Sequence, residues 1–267
     1  MKVVVLTGSH PRHFYVVNRL IETGMVVGHV VEQREEFIPQ PPEGLQDIDR
    51  ENFIRHFADR DASEHHFFKE DSVVKENIPT LPVTLEELNS TETIEWIKSL
   101  NADVMISYGV HKLTDEFLNE GPAHAWNLHG GLSPWYKGNI TLFWPFYNLK
   151  PTWAGMTIHR LTAQLDGGGI VHHSVPKLAY GDGVHDVASK AVMQVAEDLQ
   201  KILLNFNIED ISYTPQEGNG KLFTSTDWQP QHLRVVYNLF DNDIVDKYLD
   251  GELPQSEPKL VNIFSKE

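Results

Sequence analysis

The strongest constraint on the fold is a series of short, continuously apolar segments separated by helical patterns. Lys2 to Thr7 is a β-branched run, Gly24 to Glu32 a second, Ile78 to Val83 a third and Asp103 to Tyr108 a fourth. A strand that is apolar on both faces is buried on both, as in a parallel sheet covered by helices. Helices are predicted between them: about Phe14 to Glu22, Asp49 to Asp59, Ala62 to Glu76 and Thr91 to Leu100. In the middle pair, Phe53, Phe57, Phe67 and Phe68 form the apolar stripe and the charges read as a solvated face. The alternation predicts an α/β, Rossmann-like fold: a mostly parallel sheet with helices on both faces. Such sheets bind ligands in the crevice beyond the carboxyl ends of their strands. The segment Ser107 to Leu113 and the pair Asn127 and His129 both lie there, so one pocket should contain both.

Further along, Trp153 to Leu161 alternates with a period of two, and its polar face carries Thr157 and His159. Val184 to Phe206 is a long amphipathic helix with Val187, Ala191, Val195 and Leu199 inward. A loop or hairpin is expected around Gly218-Asn219-Gly220 and a helix from about Pro230 to Leu249. We divide the chain into a catalytic domain, 1–206, and a C-terminal extension, 207–267, which would cover the pocket or form a homodimer contact. The acidic, proline-rich stretch from Glu35 to Glu43 has no assigned role.

Composition removes several function classes. The 267-residue chain has no cysteine, which excludes disulfides, Cys-His nucleophilic catalysis and sulfur-based metal sites. A formal charge of −16 argues against nucleic acid as the main partner. No run of about 18 apolar residues exists for a membrane span. Met1 to Gly8 reads as a first strand rather than a signal peptide, so cytoplasm is the expected compartment.

The chemistry concentrates in Trp126-Asn127-Leu128-His129-Gly130-Gly131-Leu132-Ser133-Pro134-Trp135-Tyr136-Lys137-Gly138. Asn127 and His129 are two apart, so on an extended backbone both side chains leave the same face. An amide NH2 can donate to a developing oxyanion, and an imidazole can trade a proton with an attacking amine. A carboxylate would fix the charge and tautomer of that imidazole; Asp166, in the turn Asp166-Gly167-Gly168-Gly169, is the candidate. This is the chemistry of acyl transfer without a covalent enzyme intermediate. Taken alone, Asn-x-His also reads as a turn cap with a surface histidine, and Asp-Gly-Gly as an ordinary turn. Gly8-Ser9-His10-Pro11-Arg12-His13, between a strand and a helix, has the form of an anion site, with Arg12 or a histidine adding charge to the helix N-terminus. No metal site is expected: His65 and His66 point about 100 degrees apart on a helix, and His172 and His173 point to opposite faces of a strand.

The ordered set Asn127-Leu128-His129-x-x-Leu132-x-Pro134-x-Tyr136-x-Gly138, Gly155-x-Thr157-x-His159 and Asp166-x-Gly168-x-Ile170 resembles the signature of the folate-dependent formyltransferases. That resemblance covers about the middle third of the chain. It implies Asn127, His129 and Asp166 as catalytic residues and 10-formyltetrahydrofolate as formyl donor. It further implies a pterin pocket from Tyr108, Gly109, Val110, His111, Leu113 and Leu118, closed by Leu161, Thr162, Ala163 and Gln164. The acceptor would lie near Gly8, Ser9, His10, Arg12, Lys137, Thr157 and His159. The implied acceptor is the amine of a nucleotide-linked amino-deoxysugar, as in the sugar N-formyltransferases of bacterial surface glycan (lipopolysaccharide) pathways. A methionyl-tRNA enzyme would carry a larger C-terminal domain and a basic surface. A glycinamide ribonucleotide enzyme would be shorter, without an insertion like Glu35 to Glu76. Outside the class, the competing readings are a metal-dependent hydrolase and a non-catalytic folate- or nucleotide-binding module.

Overall fold

The structure, a computed structural model, describes residues 1–33, 38–218 and 220–266. Glu35 and Asn219, at which two of the expectations above fall, lie outside these. Seven strands form one sheet in the order β3-β2-β1-β4-β5-β7-β8. They are β1 (Val3–Gly8), β2 (Val26–Glu32), β3 (Thr80–Val83), β4 (Val104–Tyr108), β5 (His124–His129), β7 (Met156–Arg160) and β8 (Ile170–Ser174). The first five are parallel; β7 adds antiparallel to β5, and β8 pairs antiparallel with β7 and so runs with the first five. A separate two-stranded parallel ribbon joins β6 (Tyr136–Gly138) to β9 (Lys221–Phe223).

The alternation of side chains along β1 shows why both faces need a cover. Val3 and Val5 pack with Ile106 and Trp126 against α1 (Pro11–Ile21) and α6 (Val184–Asn205). Val4 and Leu6 pack with Met105 against α3 (Thr91–Ser99) and α4 (Asp115–Glu120). The fold is therefore the α/β, mostly parallel architecture expected. A third, aromatic cluster lies beyond the strand ends and draws on α2 (Asp47–Phe68), α5 (Trp144–Tyr147) and α7 (Ile244–Leu249), with Phe53, Trp144, Phe223, Tyr237 and Ile244 among its members. Among the described residues no helix is long and apolar enough to cross a membrane.

Several elements differ from expectation. The two helices read between Asp49 and Glu76 are one, α2, because nothing at Arg60-Asp61 breaks it. It ends at Phe68, since beyond it the Asn18 side chain takes the chain: Nδ2 donates to Asp71 and to the Val73 carbonyl, and Oδ1 accepts from the Lys75 amide. The 230–249 segment is not one helix. It breaks at Asp241 and Asn242, both in the left-handed region, where the Asn242 amide bonds back to Val236. Of the loop or hairpin expected around Gly218, the loop alternative holds: the strand that follows, β9, pairs in parallel with β6. Helix α4 was not anticipated, although Thr114 caps it by accepting from the Phe117 amide.

Residues after Asn205 contact the rest of the chain at many points. Thr214 bridges Ile170, Arg234 pairs with Asp49 at 2.7 Å, and the Val261 amide donates to His173 Nδ1 at 2.9 Å. Gln216 Nε2 donates to the carbonyls of Asp166 at 2.6 Å and Gly168 at 2.8 Å, clamping the turn that follows β7. A Cβ on Gly168 would sit 1.8 Å from the Arg160 carbonyl oxygen, a backbone atom that cannot rotate away. Gly168→Ala is therefore expected to cost about 1–3 kcal/mol, read as a lowered urea midpoint; an unchanged midpoint would show that this turn is not tightly packed.

Candidate active site

Strand register assembles the site. Ser107 on β4 lies opposite Asn127 on β5, and Asn127 lies opposite His159 on the antiparallel β7. Ser107 Oγ donates to Asn127 Oδ1 at 2.8 Å, which orients the amide so that its NH2 faces His159 Nε2 at 3.3 Å. His159 Nδ1 lies 2.9 Å from the Arg160 carbonyl oxygen. A carbonyl only accepts, so Nδ1 carries the proton and Nε2 offers its lone pair to Asn127.

The same rule fixes His129. Its Nε2 lies 2.8 Å from the Tyr136 carbonyl oxygen and donates to it, leaving Nδ1 to face Asp166 Oδ1 at 3.5 Å. Asp166 Oδ2 accepts the Gly138 amide at 2.8 Å, and Oδ1 is 3.7 Å from His159 Nε2. Asp166 adopts a left-handed backbone, φ 46°, which aspartate tolerates better than most residues. Burial pushes the His129 pKa below 6.5 against the opposing pull of Asp166 and the Tyr136 carbonyl, with His159 adding to the lowering. Burial raises the Asp166 carboxyl, but His159, His129 and the Gly138 amide outweigh it and hold the group below 3.8. At neutral pH the imidazole is neutral and the carboxylate ionised. A proton arriving at Nδ1 would be held between ring and carboxylate.

These groups open on a cavity of about 670 Å³. Asn127, His129, His159 and Asp166 line it together with the expected Tyr108, Gly109, Val110, His111, Leu113, Leu118, Leu161, Thr162, Ala163 and Gln164. His111 is tied down by the buried Glu32, which accepts its backbone amide at 2.8 Å and also meets its Nδ1. His10 and Arg12 reach the wall as well.

Four expected acceptor residues are not in the wall. Thr157 is fully buried, its hydroxyl accepting from the Ser133 amide at 2.9 Å and donating to the Gly131 carbonyl at 2.6 Å. Lys137 lies in the β6–β9 ribbon. Gly8 ends β1 and Ser9 follows it, and His13 packs there: a Cβ on Gly8 would be 2.7 Å from the His13 ring, whose Nδ1 accepts the His10 amide at 3.3 Å. Arg12, expected to face an anion, is bonded to Glu64 through Nη1 at 2.7 and 2.8 Å.

The sequence reading missed a second side of the cavity: His56, Phe57, Arg60 and Glu64 on α2, His185 at the start of α6, and Trp228. His56, Arg60 and Glu64 recur every fourth residue and so share one helix face, which is the signal that could have identified them. His65 and His66, next to that face, are exposed. Among the described residues no cluster of His, Asp or Glu could hold a metal ion.

The sequence matches the Formyl transferase family model over residues 52–202, more than half of the chain. Solved structures share the fold at low identity. A sugar N-formyltransferase from Shewanella sp FDAARGOS_354 is 13% identical with a TM-score of 0.57, the match covering 91% of this chain and 90% of that one. A phosphoribosylglycinamide formyltransferase from Anaplasma phagocytophilum is 16% identical with a TM-score of 0.55, covering 84% and 98%. An N-formyltransferase from Helicobacter canadensis, in complex with folinic acid and dTDP-3-aminofucose, is 12% identical with a TM-score of 0.55, covering 90% and 81%.

Because the folded state depresses the Asp166 pKa, the stability it contributes is present above 3.8 and is lost as pH falls through the lower folded value. Denaturant unfolding of wild type and Asp166→Asn should show a gap at pH 7 that narrows below about pH 4. A gap independent of pH would mean the carboxylate is not held as an anion.

Proposed function

This chain belongs to the formyl transferase family, and from that premise we propose that it moves a formyl group from 10-formyltetrahydrofolate to the amine of a nucleotide-linked amino-deoxysugar. The observation that carries the reading is the convergence of the Asn127 amide, the His129 ring and the Asp166 carboxylate in the wall of one cavity. The residues present suit a reduced pterin: Val110, Leu113, Leu118 and Leu161 give an apolar side, and the loops 108–113 and 161–164 bring main-chain groups to it. When bound, the donor supplies a formamide-like carbon to an entering amine.

The residues divide the remaining work. The Asn127 NH2, held by Ser107, donates to the oxygen on which charge develops as nitrogen bonds to carbon. That amine must shed a proton, and His129 Nδ1 is the free basic position because Nε2 is taken by Tyr136. Of the two roles open to His129, polarising the oxygen or relaying a proton, this favours the relay. Asp166 pairs with the ring once it is protonated and stabilises it. The proton then passes to the departing nitrogen as its bond to the formyl carbon breaks. An acidic chain with the α2 insertion fits a small anionic acceptor better than tRNA.

Incubation with 10-formyltetrahydrofolate and dTDP- or UDP-linked amino sugars, with the formamide product read by mass spectrometry, tests the assignment. Asn127→Ala should lower turnover by about 10²- to 10³-fold with the fold and 5-formyltetrahydrofolate affinity retained; near-wild-type turnover would remove the oxyanion role. Since neutral His129 is the working form, the rate should rise with pH through a value below 6.5 and then level off. Asp166 raises that pKa, so in Asp166→Asn the residual rate should keep its limb at lower pH. An unmoved limb would detach the titration from His129.

A further inference from the structure

Two adjacent histidines on β8 have no part in the transfer described above. His172 turns toward α6, its Nε2 3.2 Å from Asp198 and its Nδ1 accepting the Ile263 amide at 3.4 Å. His173 points to the opposite face, is 3% exposed and lies outside the cavity wall. Both of its ring nitrogens meet main chain: Nδ1 accepts the Val261 amide at 2.9 Å, and Nε2 lies 2.8 Å from the Ser133 carbonyl oxygen. An amide only donates and a carbonyl only accepts, so both contacts call for the same tautomer, with the proton on Nε2. Burial pushes the His173 pKa down to about 4 against the pull of the Ser133 carbonyl, with His172 adding to the lowering, so the ring is neutral at neutral pH.

Ser133 belongs to the segment that returns from His129 to the site. Thr157, opposite His173 across β7 and β8, accepts the Ser133 amide, so the two residues grip both main-chain groups of one residue. The Ser133 hydroxyl adds nothing, being buried without a hydrogen-bond partner among the described residues. Next along, the Trp135 ring lies 5.9 Å from His173 and 5.1 Å from Trp153, whose indole donates to the Ser256 carbonyl at 2.7 Å. The Tyr136 carbonyl then accepts from His129 Nε2, and the Gly138 amide donates to Asp166. The far end of the segment is held separately, where the Lys221 amide donates to the Trp135 carbonyl at 3.3 Å.

Where the Tyr136 carbonyl sits decides a competition for one proton. The neutral His129 ring carries a single N–H, and a hydrogen bond to an ionised carboxylate is about twice as strong as one to a neutral carbonyl. Freed of Tyr136, the ring would put that proton on Nδ1, toward Asp166, and Nδ1 could then take none from an amine. The carbonyl prevails because it stands at 2.8 Å, whereas Asp166 Oδ1 is 3.5 Å away. We propose that His173 is a positioning residue: by holding the Ser133 carbonyl it keeps the Tyr136 carbonyl on His129 Nε2, and so keeps His129 Nδ1 basic. The proposal rests on the formyl-transfer reading only for the use to which that nitrogen is put.

Two substitutions separate the contacts of His173. In His173→Asn the side-chain oxygen can stand where Nδ1 stood and accept the Val261 amide, but nothing reaches Ser133; in His173→Gln the amide NH2 can stand where Nε2 stood and donate to the Ser133 carbonyl. The readout is nitrogen NMR of the histidine rings at about pH 8, where they are neutral, with His129 assigned through His129→Gln. Wild type should show the proton on Nε2 of both His129 and His173. His173→Gln should leave the His129 tautomer as it is, whereas His173→Asn should divide it between the two nitrogens and lower turnover by about 10- to 10²-fold. A proton on Nδ1 of His173 in wild type overturns the proposal with no variant needed. So does an unchanged His129 tautomer in His173→Asn, or the same change in both variants, which would mark a merely structural residue. If wild type transfers no formyl group, it is the transfer reading that falls, and the tautomers still decide what His173 positions.

Discussion

A buried carboxylate is the constraint from which the rest of the site follows. Asp166 is 7% exposed, and an ionised carboxylate there needs hydrogen-bond donors or groups able to take up positive charge around it. The Gly138 amide takes one oxygen and the two histidine rings face the other. Each contact comes from a different segment: the β6 ribbon, β5 and β7. The carboxylate therefore does more than stand ready for a protonated ring. It fixes where the ribbon lies relative to the sheet, and Gln216 fixes the turn that presents it.

The fold was legible because its signals are local. Val3 to Leu6 is apolar at every position and is fully buried at every position, so a run of four residues announces a strand covered on both sides. The proposed catalytic trio was legible in part for a related reason: Asn127 and His129 share a face by spacing alone, and strand β7, which the period-two pattern revealed, places His159 beside them. Asp166 needed the longer pattern, since a carboxylate before glycines says only that the chain turns.

What stayed hidden depends on contacts between distant residues. The break after Phe68 is made by an asparagine fifty-odd positions earlier, and no propensity within 62–76 contains it. Arg12 looked available for an anion because its partner, Glu64, sits on a helix whose charges resembled a solvated face. The left-handed pair Asp241-Asn242 breaks a helix whose composition reads as continuous. In each case a side-chain hydrogen bond or ion pair overrode a weak local preference, as tertiary context commonly does.

The tautomers add a constraint that no spacing rule contains. Backbone carbonyls of Tyr136 and Arg160 each claim one ring nitrogen, so His129 and His159 reach the cavity with opposite nitrogens free, Nδ1 on one and Nε2 on the other. The His159 lone pair is met by the Asn127 NH2, which helps hold the amide in the orientation that Ser107 sets. The His129 lone pair is met by a carboxylate, an arrangement that favours protonation. Burial opposes that protonation at rest. In the proposed transfer, an amine surrendering its proton during bond formation would supply what the pair lacks, and the ring would then become a cation beside an anion already in place. Two main-chain carbonyls, of Tyr136 and Arg160, thus set which nitrogen of each ring faces the site.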